Sequence, residues 1–363
     1  MSLFLISAPA FALETVAREA IILDAETGAV LFEKNPDTRM PPASMSKTMT
    51  IYMVFDALKN GRMKLDQTCP VSEKAWRMQG SKMFVELGNN IAVEDLIRGV
   101  VIQSGNDATV VLAECLAGTE EGLADAMNIK AKELGMTGSN FTNASGWPDP
   151  EHYTTVRDLA TLARALINNF PDYYKYYSET EFEYHGIKQG NRNPLLYRNI
   201  GADGVKTGHT EEAGYGLIGS GIRDGRRVIM VATGMTSMQE RADETAKLLD
   251  WGMRSFENLK LAENKPTLFK VPVVLGKVPE VSVTMNETKT LTLPKMSAQK
   301  VKFKAVYKEP VLAPIKLGDA IGELEVIVPD MPVQKFPLVA AENVERMGFF
   351  MRAVSTALGL GRK

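Results

Sequence analysis

The feature that most constrains this sequence is a change of hydrophobic period along its first 260 residues. Short runs of alternating or β-branched apolar residues lie near both ends of this stretch, at 20–24, 29–33, 204–209, 215–222 and 228–233. Between them, from about 72 to 168, apolar residues recur three and four apart, as in helices. This order predicts an α+β fold, in which one antiparallel sheet is assembled from the two ends, has helices on its faces and carries an inserted helical lobe.

Turn signals support this interpretation. Residues 25–28 separate the first two runs as in a β-hairpin, and Asp224-Gly225 is a strong hairpin signal between the last two. Pro41 and Pro42 end extended structure, and a helix is predicted to start at Ser44 and end at 60–61. Further helices are predicted at 93–101, 107–117, 120–134, 155–167 and 239–256.

The chain changes character after position 260. Alternating runs at 281–285, 289–293, 301–307 and 323–328 predict a small β-sandwich domain over 261–341, following a first domain over 13–260. Residues 342–363 are expected to form an amphipathic tail, because apolar residues from Val344 to Leu358 share one helical face beside basic residues. Such a tail would anchor the protein at a membrane interface or pack as an ordinary helix on the β domain.

Composition and the chain ends narrow the function classes. The 363 residues carry a net charge of −2, which gives no electrostatic case for nucleic acid as a partner. Residues 1–12 form an apolar run that ends Ala10-Phe11-Ala12, as in the back half of a secretory signal without its basic front. Export to the periplasmic face of the inner membrane is therefore expected, although a packed N-terminal tail would show the same pattern.

The cysteines and histidines give no metal site. Cys69 and Cys115 could pair in an exported protein, but two cysteines are not a disulfide framework. Cys115 lies in an apolar run and is interpreted as a small buried hydrophobic residue. The three histidines have no ligand-like spacing, so no metal and no cofactor are expected.

The first motif with chemical content is Ser44-x-x-Lys47. Residues three apart share a helical face, so the serine hydroxyl and the lysine amine can meet. The serine needs a base, and lysine serves as one only if the site lowers its pKa by about 3 units, a bias of roughly 3–5 kcal/mol. Taken alone, this pair also fits a helix-start serine followed by a surface lysine.

Two further motifs follow. Ser104-x-Asn106 lies in a loop between two predicted helices and presents a hydroxyl and an amide, although a turn with a helix N-cap would show the same residues. Lys206-Thr207-Gly208 lies on a predicted strand and offers a cation, a hydroxyl and a glycine that lets a ligand approach the backbone. Its alternative is a solvated hairpin edge.

In this order, the three motifs match those of penicillin-interacting serine enzymes. The sequence resembles the low-molecular-mass penicillin-binding proteins of the D-alanyl-D-alanine carboxypeptidase family. The resemblance extends to residues 24–28, 42–50, 103–108, 191–193 and 204–210. It covers residues 20 to 257 well, and the β domain and tail match the layout of the family.

The resemblance implies a role for each motif residue. Ser44 would be acylated with release of the terminal D-alanine of a peptidoglycan stem peptide, Lys47 would be its base, and Ser104 would help to pass a proton to the leaving amine. Asn106 would bind the substrate amide.

The resemblance also assigns the strand motif and its neighbours. Lys206 and Thr207 would hold the terminal carboxylate, and Lys206 would also tune Lys47. The N–H groups of Ser44 and His209 would form the oxyanion hole.

Two arginines and the inhibitors complete what the resemblance implies. Arg241 would add a contact to the carboxylate and Arg192 a weaker one, unless both have only surface or packing roles. Penicillins and other β-lactams would acylate the serine durably.

Two alternatives stay open at this point. A class A β-lactamase shares the first and third motifs, but it would have Asp at position 105 and a different loop around Glu151. A non-catalytic peptidoglycan-binding protein would have no use for the intact serine and lysines.

Overall fold

The computed structural model of the chain describes residues 13–262 and 267–349. These residues divide into two compact units, Leu13–Arg254 and a second unit that begins at Ser255. The predicted leader, 1–12, and most of the predicted tail, 350–363, lie outside the described residues.

The first unit contains nine strands and eight α-helices. Its strands are β1 (Glu19–Asp24), β2 (Val30–Lys34), β3 (Thr68–Pro70), β4 (Asn90–Ala92), β5 (Glu181–Tyr184), β6 (Ile187–Gly190), β7 (Ala202–Thr210), β8 (Gly214–Arg223) and β9 (Arg226–Met235). Its helices are α1 (Lys47–Lys59), α2 (Glu73–Arg77), α3 (Val93–Val101), α4 (Asn106–Ala117), α5 (Glu120–Glu133), α6 (Val156–Asn169), α7 (Pro171–Tyr174) and α8 (Met238–Ser255). Short 3-10 turns lie at Ala43–Ser46, Lys175–Ser178 and Pro194–Tyr197.

The main sheet joins the two ends of this unit, as predicted. Its strand order is β2-β1-β9-β8-β7, and all pairs are antiparallel. Successive residues of the central strands face opposite sides of the sheet. Ile21 and Val231 are buried in the core that contains α1 and α6, whereas their neighbours Ile22 and Met230 are buried in the core that contains α8. The sheet therefore has helices on both faces, and β7 is left at its edge.

Two local features of the first unit differ from the predictions. The hairpin of β5 and β6 was not predicted. Cys69 of β3 and Cys115 in the last turn of α4 form a disulfide, with Cα atoms 5.6 Å apart. The interpretation of Cys115 as a small buried hydrophobic residue is therefore wrong. The apolar residues around Cys115 do not indicate this pairing, because Cys69 lies on a separate element and reaches Cys115 only in the folded chain.

The second unit is built almost entirely from strands. They are β10 (Phe256–Leu261), β11 (Phe269–Val274), β12 (Glu280–Thr284), β13 (Lys289–Pro294), β14 (Lys302–Tyr307), β15 (Val311–Leu312), β16 (Ala320–Ile327) and β17 (Gln334–Ala340), with one short helix, α9 (Lys295–Ala298). Six strands form a sheet in the order β14-β16-β17-β12-β11-β15, and β10 pairs with β13. Alternate residues such as Val281, Val283, Leu324 and Val326 form its core.

The predicted tail helix is not found over 342–348. Val344 is buried in the core of the second unit and forms an isolated bridge with Ile315, and Arg346 forms one with Gly276. These pairings hold the segment in extended form, so Val344 cannot belong to a membrane-facing helical stripe. In 13–262 and 267–349, no helix is long and apolar enough to span a bilayer.

Candidate active site

The nucleophile candidate Ser44 lies in the 3-10 turn Ala43–Ser46, here called the serine turn. Pro42 precedes the turn, and its carbonyl accepts the first i→i+3 bond, from Met45 N at 3.1 Å. The α-helix begins only at Lys47, three residues later than predicted. A 3-10 turn has three residues per turn, so it places residues i and i+3 above one another. Lys47 Nζ accordingly lies 2.8 Å from Ser44 Oγ.

The Lys47 amine is fully buried and is held from two sides. Besides Ser44 Oγ, it donates to the carbonyl oxygen of Ser145 at 2.7 Å. Burial, and secondly the charge of Arg192, lower the pKa of Lys47 from 10.5 to about 7, against the opposing pull of Asp107 and Glu120. A shift of this size corresponds to about 5 kcal/mol, the top of the range that a lysine base requires. At pH 7, the Lys47 amine is then neutral in about half of the protein molecules.

The second motif lies directly before α4. Ser104 has a positive φ of 59°, which is uncommon outside glycine and is typical of strained functional loops. Its hydroxyl accepts a hydrogen bond from Lys206 Nζ at 2.8 Å. Asn106 donates from its amide nitrogen to the carbonyl of Gln79 at 2.7 Å, so its amide oxygen is the atom left for a substrate N–H.

The third motif lies on the edge strand β7, against the serine turn. A Cβ added at Gly208 would lie 3.0 Å from the Pro42 carbonyl oxygen and 3.0 Å from Met45 Cγ, so a larger residue would push the strand away from the turn. Thr207 and Lys206 are buried beside it. The structure thus brings all three motifs together, as their order in the sequence had suggested.

Lys206 lies in the same buried group of cations as Lys47. Lys206 is itself buried, and burial, followed by the charges of Lys47, Arg192 and Arg241, lowers its own pKa well below the usual value. The charge of Arg192 also lowers the pKa of Lys47. Two buried ammonium groups oppose each other, so protons on this pair are shared between two coupled sites.

The other predicted site residues, His209, Arg241 and Arg192, lie around the three motifs. His209 is exposed, and its ring stacks on Tyr215 at 3.9 Å. Arg241 is buried in the first turn of α8, with its guanidinium 5.6 Å from the centre of the same tyrosine ring. Arg192 donates to the hydroxyl of Ser81. Tyr215 therefore links Arg241 to the end of the motif strand.

A cavity of about 1000 Å³ opens onto the nucleophile. Ser44, Asn106 and His209 line it, together with Ser145 and Trp147 from a loop that sequence reasoning did not assign. Lys47, Ser104 and Lys206 do not line this cavity; Lys47 contacts the nucleophile, and Lys206 contacts Ser104. The arrangement can activate a serine and hold an extended peptide along an edge strand.

Two unpredicted groups shape the site. The buried Asp107 carboxylate accepts from the backbone N–H groups of Met83, Phe84 and Val85 at 2.8–3.1 Å, which fixes the loop beside Asn106. The only sequence signal was its place directly after the second motif.

The Asn143 side chain organises the opposite loop. Its Oδ1 accepts from the N–H groups of Ser145, Gly146 and Trp147, and this holds the Ser145 carbonyl toward Lys47. Glu151, the one candidate for a β-lactamase deacylating base, is exposed and does not line the cavity.

Comparisons with known proteins agree with this geometry. Residues 6–237 match the family described as D-alanyl-D-alanine carboxypeptidase, peptidase S11, and residues 256–346 match the penicillin-binding protein 5 C-terminal domain. The chain is 38% identical to D-alanyl-D-alanine carboxypeptidase DacC of Escherichia coli K12, over 96% of this chain and 91% of the relative. It is 35% identical to DacA of Haemophilus influenzae, over 93% and 87%.

Solved structures show the same fold. Penicillin-binding protein 5 from Haemophilus influenzae has a TM-score of 0.80 at 34% identity, with 93% of this chain and 100% of that chain covered. Penicillin-binding protein D2 from Listeria monocytogenes, solved in an ampicillin-bound form, has a TM-score of 0.61 at 32% identity and covers 68% of this chain and 99% of its own.

Proposed function

The chain belongs to the D-alanyl-D-alanine carboxypeptidase family, peptidase S11, and from this premise we propose that Ser44 carries its serine-type hydrolase activity. The substrate is a peptidoglycan stem pentapeptide, and the product lacks the terminal D-alanine. The observation that carries the proposal is the 2.8 Å contact between Ser44 Oγ and the amine of a fully buried lysine. Such a contact has no purpose in a non-catalytic binding protein, because burying a lysine is unfavourable.

In the acylation step, the lone pair of neutral Lys47 takes the Ser44 proton. The Ser44 oxygen then attacks the carbonyl carbon of the penultimate D-alanine, and the negative oxygen that forms is held by the backbone N–H groups of Ser44 and His209. The peptide bond breaks as the proton held by Lys47 passes through Ser104, which accepts a hydrogen bond from Lys206, to the amine of the departing D-alanine. Lys47 is then neutral again and takes a proton from the water that attacks the ester, and it returns this proton to the Ser44 oxygen. The hydrolysis returns Ser44 and a shortened peptide.

The substrate lies along β7 in this proposal. Asn106 Oδ1 accepts from a substrate amide, while Thr207 and Lys206 bind the terminal carboxylate. Gly208 lets β7 lie against the serine turn, which keeps this strand edge close to Ser44. Arg241 is placed by Tyr215 near the same end and adds long-range attraction for the carboxylate, and Arg192 contributes mainly through the pKa of Lys47.

β-Lactams acylate the same serine in this proposal. The related Listeria protein has been solved in an ampicillin-bound and in a cefotaxime-bound form, which supports this step. The exposed position of Glu151 gives no base for fast deacylation, so the β-lactamase alternative is not favoured.

The test is mass spectrometry of the purified protein after incubation with a penicillin. We expect one adduct, on the peptide that contains Ser44, and its absence in Ser44→Ala. Ser178→Ala, at an exposed serine, is the matched control and should keep the adduct. Release of D-alanine from a D-Ala-D-Ala peptide by the wild type then establishes the reaction. An unmodified wild-type protein would refute the mechanism.

We further propose that the protein works outside the cytoplasm and contacts the membrane through its tail. The Cys69–Cys115 disulfide supports the first part, because such bonds persist in oxidising compartments. Apolar residues three and four apart within 351–358, beside basic residues, support the second. The full chain should sediment with anionic lipid vesicles, and a chain ending at 349 should not. Equal binding of both would refute the tail contact.

A further inference from the structure

A second serine forms a buried pair with a histidine directly behind the nucleophile. Ser46 Oγ, in the serine turn, lies 2.8 Å from His152 Nε2. Ser46 is fully buried and His152 is 3% exposed, although the histidine borders the cavity. By distance alone, this pair looks like a second nucleophile with its base. The proposed reaction above uses neither residue.

The hydrogen bonds of the ring exclude that role. The backbone N–H of Thr142 donates to His152 Nδ1 at 3.1 Å, and the Thr142 hydroxyl lies 3.2 Å from the same nitrogen. A backbone N–H can only donate, so Nδ1 carries no proton. The proton of the neutral ring is then on Nε2, which donates to Ser46 Oγ. A nitrogen that already carries a proton cannot take one from Ser46, and a fully buried hydroxyl cannot reach a substrate.

We propose that His152 is a positioning residue, which fastens the serine turn to the 142–152 loop and thereby keeps the Ser145 carbonyl on Lys47. This inference rests on the proposed role of Lys47. The loop contacts the serine turn through Gly146, which lies against the Ala43 carbonyl, and through His152, which bonds to Ser46. It contacts the start of α1 through the Ser145 carbonyl, which accepts from Lys47 Nζ, and the Ala144 carbonyl, which accepts from the Thr50 hydroxyl at 2.6 Å.

The contact at Gly146 shows how closely the two segments pack. A Cβ added there would lie 1.8 Å from the Ala43 carbonyl oxygen. Packing of this kind presses the segments together but does not fix their sliding, whereas a hydrogen bond does. The bond from His152 therefore fixes the loop along the turn, as the bond from the Thr50 hydroxyl to the Ala144 carbonyl fixes it along α1, and the two together set the point at which the Ser145 carbonyl meets Lys47.

The charge state of the ring suits this role. Burial first lowers the pKa of His152 to about 4, with Asp149 raising it and Lys47 lowering it. The ring is therefore neutral at the pH where Lys47 works. A charged imidazolium would lose the bond from Thr142 N–H, and it would repel the proton that Lys47 must accept during acylation.

The test compares acylation rates by a fluorescent penicillin in four variants. His152→Phe keeps a ring but no donor, Ser46→Ala removes the acceptor, and the double variant removes both. We expect each single variant to acylate about tenfold or more slowly than the wild type, since small misplacements of catalytic groups have effects of this size. We expect the double variant to be no slower than the singles. His152→Gln keeps an N–H donor and should restore most of the rate.

Controls separate this role from stability and from the proposed function. His185→Gln, at an exposed histidine, should change nothing. Thermal melts identify any variant that fails to fold, and Ser46→Ala is the smaller change on which the conclusion then stands. If the wild type is not acylated, the proposed function is refuted. If it is acylated and Ser46→Ala or folded His152→Phe matches it, only the positioning role is refuted.

A spectroscopic readout is independent of activity. The chain has only three histidines, so ¹⁵N NMR of histidine-labelled protein can resolve each ring, with His152→Gln assigning one. We expect His152 to show the Nε2–H tautomer without titration between pH 5 and 8. A proton on Nδ1, or a midpoint near 6.5, would overturn the assignment.

Discussion

The pH dependence of acylation is the most direct consequence of a buried lysine base. Only neutral Lys47 can take the Ser44 proton, and its pKa of about 7 makes about one tenth neutral at pH 6 and about nine tenths at pH 8. The rate constant for acylation by a penicillin should therefore rise about tenfold between these values and then level off. An unperturbed lysine would be neutral in roughly one molecule in three thousand at pH 7, and the rate would keep rising toward pH 10.

The same profile tests the cause of the shift. Arg192→Gln removes the cation that helps to lower the pKa of Lys47, so the rising limb should move to higher pH, whereas Arg192→Lys should leave it nearly in place. Arg198→Gln is the matched control, because that arginine pairs with Asp243 at the surface. Stopped-flow measurement of the acylation rate constant over pH 5–10 gives the pH at which the rate rises. A flat profile, or a limb near pH 10 in the wild type, would refute neutral Lys47 as the base.

Three further predictions concern stability. Removing the disulfide by changing Cys69 and Cys115 to alanine should lower the free energy of unfolding by about 4 kcal/mol in urea titrations, because the bond joins residues 46 apart; an unchanged midpoint would contradict this. Gly146→Ala should prevent stable folding, while Gly61→Ala, also at positive φ but with open space around it, should lower stability by only about 1 kcal/mol in the same titrations. Lys47→Met should abolish acylation yet raise the unfolding free energy by about 2 kcal/mol. The unfolded lysine holds its proton up to pH 10.5 and the folded one only to about 7, so wild-type stability rises with pH across this window and is lowest below it. Equal stability of Lys47→Met and wild type at pH 7 would contradict that reasoning.

Much of the fold could be predicted from period alone. The main sheet and the helices of the first unit follow from alternating and three-to-four spacing, because each element buries one face in a core. The strands β11 and β17 were not predicted, since each contains a proline, Pro272 and Pro337, which pattern reasoning takes as a break. Strand β10 follows α8 without a turn and pairs with β13, so the second unit starts at Ser255 rather than at 261.

The site could be predicted where its residues form local motifs, and not where it depends on packing. Spacing of three places Ser44 beside Lys47 whether the turn is α or 3-10. No spacing rule indicates that Ser145 offers a carbonyl to Lys47 from 98 positions away, or that His152 reaches Ser46. Both contacts come from a loop whose course is set by the Asn143 side chain.

The source of the lysine pKa shift shows why this matters for mechanism. The third motif contains a second lysine, Lys206. From the sequence, its positive charge is the expected cause of the lowered pKa of Lys47. In the folded chain both lysines are buried, and burial is the larger cause for each. A mutation that opens the loop over Lys47 to water should therefore impair the base more than removal of any single cation. The close approach of Gly146 to the Ala43 carbonyl and the His152 bond to Ser46 both hold the 142–152 loop against the segment that carries Lys47, and this loop places the Ser145 carbonyl on the buried amine.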